Sequence, residues 1–170
     1  MNFEMPFIEY KSRGFLRCKN AITPQTLSFV ANDIEFDMFD ANSVVTGING
    51  TYNSIDTMVS ELLKNKINNI VGRSVSEVCA IDFIRNDHVH ELLHRDSDTY
   101  PQCVDVVLIP LDVSGVCLKY AKYSNLYDNV DELYSMPMSV GDVIFHTIHT
   151  LYKIDITRQK YSYSFIKVTF

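Results

Sequence analysis

Much of what would classify this chain at once is missing from it. No apolar run approaches the roughly 18–20 residues a membrane-spanning helix needs, so no membrane partner is expected. No stripe of Lys or Arg appears: 15 basic side chains face 21 acidic ones, for a net charge of −6. A polyanionic partner such as nucleic acid is therefore not expected either. The cysteines Cys18, Cys79, Cys103 and Cys117 form no Cys-x-x-Cys pair, which reads as buried thiols in a reducing cytoplasm and not as a disulfide framework. The opening "MNFEMPFIEYKSRG" has no apolar signal core, so an exported product is not expected. Internal repeats, linkers and low-complexity segments are also absent. What is present is 170 residues, 46% hydrophobic and 21% charged, enough for one domain with a real core.

Histidine is scarce but unevenly placed. The five fall in two clusters, His88, His90 and His94, then His146 and His149. Neutral imidazole is the commonest protein metal ligand, and a metal site assembled from two distant segments leaves this kind of trace. The first cluster holds "HELLHRD", in which two metal motifs share one histidine. His-Glu-x-x-His needs a helix; His-x-Asp suits an extended segment.

The surrounding pattern helps to choose. Thr23 is a good N-cap with Pro24 at the first helical position, and Leu27, Val30, Ala31 and Ile34 follow at helical spacing. A second apolar stripe, Ile55, Met58, Val59, Leu62 and Leu63, predicts a helix from Ser54. Both stripes read as core packing. After about residue 75 the chain turns to Val, Ile, Phe and Tyr in "EVCAIDFI", "CVDVVLIPL", "GVCLKYAKY", "GDVIFHTIHT" and "KYSYSFIKVTF", separated by turn signals. Only "NVDELY" reads as a short helix among these strands. Helices followed by strands predict an α+β domain with a double-sheet barrel or jelly roll in its C-terminal half.

A zinc-peptidase site would use His90 and His94 as ligands, Glu91 as general base and Glu132 as the one available third ligand. The segment is closed by "RDSDTYP", which ends any helix soon after His94, and the second histidine cluster stays unused. The extended reading puts His94 and Asp96 on one face of a strand and takes a histidine from the second cluster. Two histidines and a carboxylate on one face of a metal form the facial triad of non-haem Fe(II) oxygenases. It accounts for both clusters. Asp98, two residues on, is the alternative carboxylate only if the register slips.

Several segments, in order, resemble the Fe(II)/2-oxoglutarate-dependent dioxygenases of the phytanoyl-CoA-hydroxylase-like and prolyl-hydroxylase-like kind. "EYKSRGFLRCKNAITPQTLSFVANDI" looks like their opening strand and capped helix, "HRD" like their His-x-Asp, and "VVLIPL" like the strand after it. "GDVIF…H" is similar to the Gly-Asp turn before the distal histidine, and "ITRQKYSYSFIKVTF" to the last strand. The resemblance implies a double-stranded β-helix (jelly-roll) core at about 73–170 and a helical N-terminal part at about 1–72, in a single domain. It implies Fe(II) held by His94, Asp96 and His149, with His146 beside them, because His149 lies nearer the family's spacing beyond the Gly-Asp turn. It implies 2-oxoglutarate as co-substrate, its far carboxylate gripped by Arg158 or Lys160, which would share an inward strand parity with Ser162 and Ser164. The implied activity is O₂-dependent hydroxylation of a small molecule, amino acid, peptide or carrier-bound group. A cupin-like binding module of the same architecture is the non-enzymatic alternative.

Overall fold

In the computed structural model the described residues are 4–28, 30, 45–47, 67–72, 78–85, 92–128, 130 and 132–170. The helix predicted from Ser54, and His88, His90 and Glu91, lie outside them. Two antiparallel sheets carry the fold. The strands are β1 (Phe15–Cys18), β2 (Val45–Gly47), β3 (Ala80–Arg85), β4 (Asp105–Ser114), β5 (Val116–Ala121), β6 (Leu133–Met136), β7 (Val143–Thr147), β8 (Tyr152–Ile156) and β9 (Ser162–Thr169). The larger sheet runs β1-β7-β4-β9-β3-β2 and the smaller β6-β5-β8.

Strand alternation sorts side chains to the two faces of the larger sheet. Phe15, Val106, Leu108, Ile144, Tyr163 and Phe165 point between the sheets, onto Leu118, Tyr120, Tyr152 and Ile154. Ile81, Phe83, Val107, Phe145, Ile166 and Val168 point the other way. There they meet Tyr10 of α1 (Glu4–Arg13), Leu27 and Val30, and Ile70 and Val71 of α2 (Asn68–Val71). Residues 24–28 are helical, and Thr23 caps them as predicted: its hydroxyl accepts from the Thr26 amide at 3.2 Å.

Two expectations need correcting. "NVDELY" is not helical where described: Leu133–Met136 is β6, paired antiparallel with Leu118–Ala121 of β5. Cross-strand hydrogen bonding there overrides the local preference of a segment that is mostly exposed. The N-terminal part is not purely helical either, because β1 and β2 both join the larger sheet. One turn constrains the sheet's far end. Gly115 joins β4 to β5 at φ +70°, and an added Cβ would stand 2.6 Å from the carbonyl oxygen of Lys160. Only glycine fits that conformation and that approach.

Candidate metal centre

His94 and Asp96 sit where an extended segment becomes a turn. The His94 amide donates to the Tyr152 carbonyl at 3.0 Å and its carbonyl accepts from the Tyr152 amide at 3.1 Å. Arg95 is extended (φ −115°, ψ 141°), and Asp96 opens a 3₁₀ turn, Asp96–Asp98. The Asp96 carbonyl accepts from the amides of Thr99 and Tyr100 at 3.0 and 2.8 Å. His94 and Asp96 thus flank one extended residue and line the same cavity. Leu92–His94 is not helical, so the part of His-Glu-x-x-His that is described lacks the geometry a zinc peptidase requires. Glu132 is exposed and pairs with Lys122 at 3.3 Å. Asp98 is exposed.

The histidine that faces Asp96 is His146, not His149. β7 is fixed at its start by the Gly-Asp turn: the buried Asp142 carboxylate accepts from Arg17 Nη2 at 2.6 Å, Ser139 N at 2.8 Å and Asn20 N at 3.2 Å. From there Ile144 and His146 face the smaller sheet, and the strand gives way to a turn in which the Thr150 amide donates to the Thr147 carbonyl at 3.0 Å. His149 follows in an exposed turn, where its carbonyl accepts from Arg95 Nε at 2.9 Å.

His146 is fully buried. Its Nδ1 lies 3.1 Å from the Thr147 carbonyl oxygen; a carbonyl can only accept, so Nδ1 carries the proton and Nε2 a lone pair. That lone pair stands 3.5 Å from Asp96 Oδ2. Burial outweighs the attraction of Asp96 and pulls the His146 pKa down to about 4, so the ring is neutral near pH 7. For Asp96, burial works against ionisation, but Lys167 and the neighbouring histidines hold its carboxyl below the usual range. Two electron-rich atoms, Asp96 Oδ2 and His146 Nε2, therefore face each other without a hydrogen-bond partner among the described residues. Leaving such groups unmatched costs about 1–3 kcal/mol each, unless a cation completes them.

The cavity onto which Asp96 opens holds about 260 Å³ and is also lined by Asp82, His94, Tyr100, Tyr152 and Lys167, with apolar walls; His146 lies behind Asp96, outside that lining. The Tyr152 ring packs against both histidines, 4.4 Å from His94 and 4.7 Å from His146. Burial first, then the charge of Asp96, push its hydroxyl well above the ordinary tyrosine range. Lys167 Nζ lies 2.8 Å from Asp96 Oδ1 and 3.6 Å from Asp82 Oδ2. Tyr100 donates its hydroxyl to Asp82 Oδ2 at 2.7 Å. Among the described residues no three His, Cys, Asp or Glu side chains already converge at ligand distance. The Asp96–His146 pair is preformed, and His94 lines the same cavity.

Arg158 and Lys160 are exposed in the β8–β9 turn, before β9 begins. The inward parity of β9 belongs to Tyr163, Phe165 and Lys167, opposite to that expected from Arg158, Lys160, Ser162 and Ser164; Ser162 instead donates to Asp112 at 2.6 Å. Motif and spacing alone miss Lys167, Asp82 and Tyr100. The available signal is a lone lysine inside the apolar "SFIKVTF", since a charged residue in a buried strand needs partners.

No protein-family model matches the sequence, and no curated protein does. Solved structures do match in fold. The non-haem alpha-ketoglutarate-dependent epimerase SnoN from nogalamycin biosynthesis superposes with a TM-score of 0.77 at 11% identity, over 98% of this chain and 81% of that one. The non-haem alpha-ketoglutarate-dependent carbocyclase SnoK, from the same biosynthesis, gives 0.73 at 16% identity, over 98% and 82%. A prolyl-4-hydroxylase from Pseudomonas putida gives 0.70 at 10% identity, over 99% and 93%. The chain has the fold of the non-haem iron, 2-oxoglutarate-dependent oxygenases.

Proposed function

We propose that this chain is an Fe(II)- and 2-oxoglutarate-dependent oxygenase whose metal ligands are His94, Asp96 and His146. The observation that carries this is the facing pair of unpartnered buried atoms, Asp96 Oδ2 and His146 Nε2, 3.5 Å apart beside the cavity that His94 and Asp96 line. A neutral imidazole lone pair and a carboxylate oxygen are the donor set of a facial-triad iron site, and His94 supplies the third ligand by turning its ring inward. The two sheets then form a double-stranded β-helix, with the N-terminal segments packed on its outer face, in a single domain.

Bound there, Fe(II) with 2-oxoglutarate and O₂ supplies the oxidation of a C–H bond, with release of CO₂ and succinate. The chain's own share is binding and exclusion of water. Nδ1 of His146 donates to Thr147 and so aims Nε2 at the metal position, as an imidazole's second nitrogen commonly does. Tyr152 packs against both imidazoles and walls the cavity with Leu108, Leu118, Ile154 and Phe165. Lys167 is the cavity's basic group among the described residues. An ammonium has three N–H donors; one goes to Asp96 at 2.8 Å, with the Asp82 carboxylate 3.6 Å away, and a remaining donor is our candidate for the carboxylate of the oxo-acid, in place of Arg158 and Lys160. No helix among the described residues is long and apolar enough to cross a membrane. Four cysteines without a Cys-x-x-Cys pair are what supports a reducing compartment such as the cytoplasm.

The test is an anaerobic titration with Fe(II) and 2-oxoglutarate, watching for the weak visible charge-transfer band of the chelate. The band is expected in the wild type and in His149→Ala, and is expected to vanish in His146→Ala. No band in the wild type would leave the cupin-like binding module as the better reading. A band lost in His149→Ala but kept in His146→Ala would restore His149 as the ligand.

A further inference from the structure

Lys167 does something to Asp96 that charge balance alone does not require. Its ammonium does not sit symmetrically on the carboxylate. It contacts Oδ1 at 2.8 Å, while Oδ2 is turned to His146 and has no hydrogen-bond partner among the described residues. The ammonium is itself held from several sides. Asp82 Oδ2 lies 3.6 Å away, the Tyr100 ring centroid 5.4 Å, and Tyr100 in turn fixes Asp82 through its hydroxyl. A lysine on a surface is a mobile, hydrated point charge. This one emerges from β9 between the sheets, with its side chain 12% exposed.

Accepting the metal reading above, we propose that Lys167 is a positioning residue that reserves Oδ1 of Asp96, so that the carboxylate reaches the metal through Oδ2 alone. The consequence is one of counting. An octahedral ion held by two imidazoles and one carboxylate oxygen keeps three open positions, as a facial triad does. A 2-oxo acid takes two and leaves one for O₂. A carboxylate bound through both oxygens would take the last. Aspartate is free to bind either way, so something must forbid the second arm, and a cation clamped on that oxygen does so. Asp82 and Tyr100 serve the same end at one remove, because they hold Nζ beside Oδ1.

Mn(II) offers a readout that needs neither co-substrate nor turnover: the number of exchangeable waters on the ion, from water-proton relaxation of the Mn(II)-loaded protein. Lys167→Met keeps the length of the side chain and removes the ammonium. The relaxivity per bound Mn(II) is expected to fall by about one third, from three water positions to two, without loss of Mn(II) affinity. Lys167→Arg, which retains a cationic donor, is expected to keep the wild-type value. Unchanged relaxivity in Lys167→Met, with Mn(II) bound, overturns the proposal and leaves Lys167 as a counter-charge or a carboxylate anchor. Failure of the wild type to bind Mn(II) overturns the metal reading and this proposal with it. Should Lys167→Met not fold, the wild type decides. On Mn(II) addition the infrared splitting between the antisymmetric and symmetric Asp96 carboxylate stretches is expected to widen, as for one-armed binding, and a narrowed splitting would overturn the proposal.

Discussion

The two faces of the larger sheet are built from the same strands and do different work. On the face toward the helices, β3, β7 and β9 present Ile81 and Phe83, Val143 and Phe145, Ile166 and Val168. On the face toward the smaller sheet the alternating positions of those strands include Asp82, His146 and Lys167. One face is an apolar core without site chemistry; the other mixes an apolar floor with a cluster of groups that fit only as a set. A shift of one residue in any of these strands would exchange the two roles. The fold therefore separates stability from chemistry by strand parity, at neighbouring positions in the chain.

That separation can be attacked from either side. The largest effect is expected at His146. Its replacement by Leu removes a ligand, and Fe(II) affinity should fall by roughly 100-fold or more, since losing even an outer partner of a ligand costs about 10–100-fold. Stability should hold, because the unmatched Nε2 goes with the imidazole while Asp96 keeps its ion pair with Lys167. Calorimetric metal titration and urea unfolding check the two halves. A large loss of stability would place His146 with the structural face after all.

Ile166→Ala, one residue from Lys167 and on the opposite face, should do the reverse. A fully buried isoleucine cut to alanine costs about 2–5 kcal/mol, read from the urea midpoint, with Fe(II) affinity preserved in the folded protein. Tyr100→Phe sharpens the boundary. It takes the hydroxyl from Asp82, whose Oδ1 already has no partner among the described residues, so about 1–3 kcal/mol of stability should go. The smallest effects belong to Arg158→Ala and Lys160→Ala. Both side chains are exposed, so unfolding should shift by less than about 0.5 kcal/mol and the chelate titration should be unaltered. A several-fold weaker 2-oxoglutarate affinity in either variant would show that the turn reaches the site in solution.

These residues also divide what is legible in the amino-acid sequence from what is not. The Gly-Asp turn, the Thr23 cap and most strands announce themselves through local chemistry and stand where the sequence puts them, whereas Asp96 opens a turn instead of sharing a strand with His94. The choice between His146 and His149 depends on where β7 ends. The turn that follows is held in part by Gly14, more than a hundred residues away, whose carbonyl accepts from the Thr150 hydroxyl. The parity of β9 likewise depends on its starting at Ser162, beyond the turn that holds Arg158 and Lys160. In the sequence Lys167 is an interruption in an apolar strand, because its partners, Asp82 and Asp96, come from two other segments. Local pattern finds elements, whereas long-range hydrogen bonds fix their ends, and the ends decide which side chains face inward.

The position of β9 in the larger sheet has a consequence for how the molecule comes together. β9 follows every other strand in the chain, yet it lies between β3 and β4, with Thr169 beside Ala80 from 89 residues earlier. Closing loops of that size is entropically costly and slows folding. Until β9 docks, β3 and β4 each offer a bare edge, the kind of template on which chains associate wrongly. Asp82 and Asp96 at that stage also lack the ammonium that lets them be buried. Sheet closure and charge matching are thus one event, and a half-assembled chain has no stable way to keep a half-assembled site.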